Sequence, residues 1–226
     1  MMAARNPSIL AEFITVSRGE LGRQLAHQLR FVAPKRRYRA FDESVDAAVD
    51  RAFRCFSRIV LPGYRDDGKP VFNVDHSDQY AAFLYFVSNE AWKAARDLNL
   101  AVDCFRLNKA LHGLNCMYDT QLPEVFALIH TVGMVLGKAA YGNYFVAYQN
   151  VTVGTDHGAM PHLGDHVVLF GGSMVLGDSK VAGGVVVSAN TTIINQEIPP
   201  DSVVAGASPN LIVKRRKRSF DIDYFE

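Results

Sequence analysis

The chain has no apolar run of about eighteen residues, no clustered cysteines and no surplus of either charge, and each lack removes a class of protein. Without a long apolar run there is no helical membrane span. Its three cysteines, Cys55, Cys104 and Cys116, form an odd set with no C-x-x-C spacing. They read as reduced, buried thiols of a cytoplasmic protein rather than a disulfide framework. Lys and Arg total 24 against 23 Asp and Glu, a net charge of +1. No overall field draws such a chain to nucleic acid or to a membrane surface. The N-terminal stretch MMAARNPSILAEFITVSRGELGRQL has no apolar h-region and no small-residue cleavage site, and Glu12 and Glu20 argue against a transit peptide. What remains is a globular chain of 226 residues, 49% hydrophobic, sized for one or two domains.

The chain changes character about halfway. Residues 1–120 carry helical patterning. In FDESVDAAVDRAFRCFSRIV, residues Phe41, Val45, Val49, Phe53, Phe56 and Val60 recur at spacings of three and four and make one apolar face. Asp42 is placed to cap that helix, and Pro62-Gly63 ends it. GYRDDGKPVFNVDH reads as a loop. Ser77 then resembles an N-cap for a segment so apolar, from Tyr80 to Trp92, that it must pack against another helix or a partner subunit. A further helix is expected from Ala101 to Leu114. This half reads as a scaffold without chemistry of its own.

From about Pro123 the helical period stops and Val, Gly, Ser and Thr take over. Leu163, Leu169, Val175, Val181, Val187 and Ile193 are spaced by six without a break, and Phe145 and Val151 keep the same count upstream. A second column, two residues ahead, holds Val167, Ser173, Ser179, Val185 and Thr191. A period of six suits neither a helix nor a hairpin. It suits a triangular prism in which each hexapeptide makes one flat side and three make a coil. The expected fold is therefore α+β: a helical N-terminal domain (1–120), a left-handed parallel β-helix (121–213) and a basic tail (214–226).

The segment HTVGMVLGKAAYGNYFVAYQNVTVGT, with His130, Gly133, Val135, Gly137, Gln149, Thr152 and Gly154, resembles the core of serine acetyltransferases. The closing EIPPDSVVAGASPNLIVK resembles that family's last coil, and a helical domain ahead of a β-helix matches its order of parts. The resemblance implies an acetyl-CoA-dependent transferase, a homotrimer or a dimer of trimers, with active sites between β-helices and no metal required. His130 then carries over as general base, taking the proton of a hydroxyl or amine as it attacks the thioester. Asp119 is the candidate to orient it, with Glu124 as second choice. Binding of acetyl-CoA is implied near Gly154, Thr155, Gly171, Gly172, Ser188 and Ala189, with Lys214, Arg215 and Arg216 near its phosphates. His157 and His162 are the candidate acceptor-binding residues.

The chain departs from that family in ways that bear on the acceptor. Ile129 stands where the family has Asp before the histidine, and Ala159-Met160 stand where it has an Arg-His pair that holds the serine carboxylate. A hydroxyl or amine on a sugar or nucleotide-sugar is therefore an alternative acceptor. Two other readings are carried forward. HGAMPHLGD resembles the zinc-binding segment of γ-class carbonic anhydrases, which would make His130, His157 and His162 a three-ligand zinc site. His157, His162 and His166 also read as residues of an exposed loop without a specific role. A β-helix that has lost activity would be a non-catalytic scaffold, a reading that Ile129 keeps open.

Overall fold

A computed structural model describes residues 13–94, 96–218 and 223–226. The N-terminal stretch read for targeting signals lies, through residue 12, outside the described residues, as do residues 219–222 of the tail.

Helix α1 (Arg18–Val32) opens with a reciprocal capping box between Ser17 and Glu20 and buries Leu21, Leu25 and Leu29 along one face. Helix α2 (Phe41–Phe56) buries Val45, Val49 and Phe56 as its spacing requires, but it stops four residues short of Val60, which is exposed. Asp42 does not cap it. The backbone N–H groups of Arg39 and Ala40 donate instead to the Asp97 carboxylate, at 2.7 and 3.3 Å. The expected loop after Pro62 contains a small hairpin, β1 (Arg65–Asp66) and β2 (Lys69–Pro70), turning through Asp67 and Gly68, both with positive φ.

Helix α3 (Ser77–Lys93) has His76 rather than Ser77 at its N-cap position, with no side-chain capping bond. Every residue from Asp78 to Asn89 is buried, because α3 packs against α2, α4 and the base of the β-helix. The apolar stretch from Tyr80 is thus satisfied within the chain, and only Trp92 at its end is substantially exposed. Helix α4 (Leu98–His112) begins three residues ahead of the expected Ala101. Asp97 caps it by accepting from the Leu100 N–H, and a left-handed Gly113 ends it.

Past α4 the chain winds into a left-handed parallel solenoid of about five turns. After a lead-in strand, β3 (Asn115–Cys116), the first coil comprises β4 (Phe126–Ile129), β5 (Val135–Leu136) and β6 (Ala140–Tyr141). The second comprises β7 (Phe145–Tyr148), β8 (Thr152–Gly154) and β9 (His162–Leu163). The third has β10 (Val168–Leu169), β11 (Met174–Leu176) and β12 (Lys180–Val181), and the fourth β13 (Val186–Val187), β14 (Thr192–Ile194) and β15 (Glu197–Ile198). β16 (Ser202–Ala207) closes the stack, and β17 (Asn210–Arg215) folds back antiparallel along it. Strands stack in register on three faces: β4, β7, β10, β13 and β16 on the first; β3, β5, β8, β11 and β14 on the second; β6, β9, β12 and β15 on the third.

Both sequence columns point inward. Leu163 through Ile193 and Val167 through Thr191 are all essentially inaccessible. Residues Phe145 and Val151 are buried too, but they stack under Val167 and Ser173, in the second column. The step from Val168 to Val186 is 18 residues, whereas that from Thr152 to Met174 is 22. The four extra residues sit in the loop 155–161 and move the upstream phase from one column to the other. Left-handed residues mark the corners: Gly133, Asn150, Gly172 and Asn190 lie between the first and second faces. A Cβ on Gly172 would come 2.3 Å from the Asn190 side-chain oxygen, so the glycine is required by its neighbour as well as by its φ of +74°.

The KRRKR run is not a free tail. Lys214 and Arg215 lie in β17, and Arg216 pairs with Asp201 at 2.9 Å. The chain then returns to the body at 223–226. Phe225 packs edge-on against Tyr144, the Tyr224 carbonyl accepts from the Val60 N–H, and Glu226 pairs with Arg65.

Candidate active site

His130 follows β4 at the corner between the first and second faces. It is exposed and left-handed, with φ +54°. The corner is longer than the one stacked on it: five residues separate Ile129 from Val135, whereas three separate their partners Tyr148 and Thr152. The extra backbone has no ladder partner above it. Asp78, in the first turn of α3, supplies one. Its Oδ2 accepts from the His130 N–H at 2.9 Å and its Oδ1 from the Thr131 N–H at 3.3 Å. Two successive N–H groups converging on one carboxylate form an anion nest. The Thr131 hydroxyl donates to the His112 carbonyl at 3.2 Å, tying the same corner to the end of α4. His112 lies beside this contact, its Nε2 buried without a hydrogen-bond partner. Burial holds its imidazole below the usual histidine range, opposed by the nearby Asp78 charge.

Asp78 was not legible as a site residue. Its only sequence signal is an acid in the first turn of a helix, which normally means a favourable helix dipole and nothing more.

The expected cofactor residues divide between two edges. Gly171, Gly172, Ser188 and Ala189 occupy the turns between β10 and β11 and between β13 and β14. They lie on the His130 corner, two and three coils further along. Gly154 and Thr155 lie at the opposite edge of the second face, where β8 runs into the inserted loop. Lys214 is exposed on β17, opposite Val203.

Neither expected carboxylate engages His130. The register Cys116 to Leu136 carries Asp119 beside Lys138, and the two form an ion pair of 2.9 Å at the far edge of the second face. Glu124 pairs with Arg54 at 3.2 Å.

His157 sits in the loop 155–161 with its side chain 97% exposed, next to Asp156 at 3.6 Å, and Met160 beside it is also exposed. His162 begins β9, exposed and in register with Lys180. An open, mostly apolar groove of about 550 Å³ runs from His162 over Val181 to Ile198 on the third face. His166 is not on an exposed loop. It stacks on Tyr144, with ring centroids 4.5 Å apart and planes 7° from parallel. Within one chain, His130 and the pair His157 and His162 therefore belong to different corners. Among the described residues no group of three His, Cys, Asp or Glu is close enough to hold a metal ion.

No family model matches the chain. Curated relatives do. A serine acetyltransferase of Staphylococcus epidermidis is 26% identical over 176 residues, covering 70% of this chain and 81% of its own. One of Staphylococcus xylosus is 27% identical over 175 residues, covering 70% and 80%. Among solved structures, the Neisseria gonorrhoeae serine acetyltransferase superposes with a TM-score of 0.69 at 18% identity, covering 92% of this chain and 83% of that one. A serine acetyltransferase in complex with CoA gives 0.66 at 18% identity, covering 86% and 84%. These likenesses span the helices as well as the solenoid. The chain is thus serine acetyltransferase-like in sequence and in fold, a helical region followed by a hexapeptide-repeat solenoid.

Proposed function

We propose that the protein transfers an acetyl group from acetyl-CoA to the hydroxyl of a small serine-like acceptor, with His130 as general base. The observation that carries this reading is the placing of His130: an exposed imidazole at the foot of a corner whose upper turns, Gly171-Gly172 and Ser188-Ala189, are small enough for an extended pantetheine arm to lie along them. The relatives' names support the donor and the acceptor class, and one solved relative holds CoA. In the reaction the neutral imidazole takes the hydroxyl proton as the oxygen attacks the thioester carbonyl. A C–O bond forms, the C–S bond breaks, and the departing CoA thiolate takes the proton back from the imidazolium. The developing oxyanion calls for backbone N–H donors other than those of His130 and Thr131, which Asp78 occupies.

Met174 and Ile194 on the second face and Ile212 and Val213 on β17 are exposed apolar residues available for packing solenoids side by side as a trimer. In such a trimer the inserted loop of one copy, with His157, and His162 at the start of β9 would meet the His130 corner of the next and complete the acceptor site.

A second reading concerns the acceptor. Ala159 and Met160 present no cation where serine acetyltransferases carry one, and a carboxylate would lose its strongest contact there. This favours an acceptor without a carboxylate, such as a sugar hydroxyl.

The test is release of CoA thiol from acetyl-CoA against serine, homoserine and a panel of nucleotide-linked sugars. The reading expects turnover with one of them, reduced about 10²- to 10⁴-fold by His130→Ala. No binding of acetyl-CoA by calorimetry would overturn it.

A further inference from the structure

We propose that Asp78 is a positioning residue for His130, so that the helical half of the chain sets the geometry of the base. The proposal rests on His130 being that base and adds how it is held. A left-handed histidine is a strained residue, and such a residue persists only where its surroundings over-determine it. Elsewhere on this corner the left-handed residues are Gly133, Asn150, Gly172 and Asn190, residue types that adopt the conformation readily. Histidine adopts it less readily than glycine, although His157 and His166 do so elsewhere in the chain. The two-residue excess of the corner also leaves its N–H groups without a neighbouring strand to receive them.

Asp78 answers both needs. It is 8% exposed, and both of its oxygens are spent on the two consecutive N–H groups, of His130 and Thr131. It stands in the first turn of α3, where an acid would ordinarily turn back on its own helix, yet α3 has no side-chain cap. Its carboxylate is aimed across the boundary at the solenoid instead. The Thr131 hydroxyl on the His112 carbonyl adds a second tie to the same corner from α4. Together they fix the backbone from which the imidazole projects.

Asp78→Asn keeps the volume but leaves one acceptor oxygen for two N–H groups. Asp78→Glu keeps the charge and pushes the corner outward, and it serves the same comparison where the asparagine variant fails to fold. Each is measured for kcat and for KM of acetyl-CoA, alone and combined with His130→Ala. The proposal expects kcat to fall about 10- to 100-fold, as a displaced catalytic group would make it, with KM for acetyl-CoA within about threefold. In the His130→Ala background the same substitution is expected to change turnover by less than about twofold, because its effect passes through His130. Loss by the same factor in both backgrounds, or a kcat within about twofold of the parent, would overturn the proposal. If His130→Ala alone retains full turnover, the reading of His130 as base is what has failed.

Discussion

The Cys55 thiol sits against both backbone polar groups of one residue, Phe126. It donates to the Phe126 carbonyl at 3.2 Å and lies 3.5 Å from the Phe126 N–H. Phe126 opens β4, the lowest strand of the first face, below which no strand pairs among the described residues. A helix side chain thus satisfies the exposed start of the stack, while Tyr85 and Phe86 pack on the Phe126 ring.

All three cysteines are buried, and burial pushes the Cys55 thiol up to about 12 and raises those of Cys104 and Cys116 as well. The thiolate is the reactive form. No thiol of the native protein is therefore expected to react with an aromatic disulfide reagent at pH 8, and all three are expected to react in urea. Any fast-reacting native thiol would contradict the packing described. Cys55→Ala is expected to cost about 1–3 kcal/mol by stranding the Phe126 groups, read from the urea midpoint, with Cys55→Ser closer to the parent.

Asp119 is held by Lys138 at the far edge of the second face. Asp119→Asn is expected to leave kcat within about threefold, since its carboxylate faces Lys138 rather than His130 within the chain. A loss comparable with that of His130→Ala in the thiol-release assay would restore Asp119 to the catalytic role that its place in the sequence suggests.

His112 is held neutral by burial, below its ordinary value of 6.5. As pH falls below 6.5 the unfolded chain takes up a proton that the folded chain resists. The stability present above 6.5 is then lost progressively with acid. His112→Gln removes this proton uptake. The urea midpoint of the variant is expected to fall less between pH 7.5 and 5 than that of the parent, and parallel curves would show that His112 is not the group responsible.

Phe225 wedges between the second coil and the end of α2, and Ile59 bridges to it. Phe225→Ala is expected to cost about 3 kcal/mol in chemical denaturation. Phe31→Ala, at a residue 81% exposed, is the control and is expected to fall within about 0.5 kcal/mol of the parent.

The solenoid was legible because one physical rule, an inward side chain on each short side, repeats every six residues from Leu163 to Ile193. It became illegible where the rule is interrupted. The inserted loop at 155–161 shifted Phe145 and Val151 into the other column, and a bare count along the chain cannot detect a register change that occurs in space. The helices were legible from their apolar faces, but their ends were not, because Asp97 reaches across to receive the start of α2. His130 was visible through its local setting. Its tie to Asp78 was not, since 52 residues and a change of architecture separate the pair. Asp119 shows the same limit: it is near His130 in sequence, but the register of Cys116 with Leu136 carries it to Lys138 within the chain.

β17 runs back along β16 with opposite sense over six residue pairs. A parallel stack left open at its end is a template on which another copy could continue the stack and polymerise into a fibre. Reversing the final strand presents an incoming parallel strand with the wrong polarity. The same turn that closes the fold thereby sets the length of the stack.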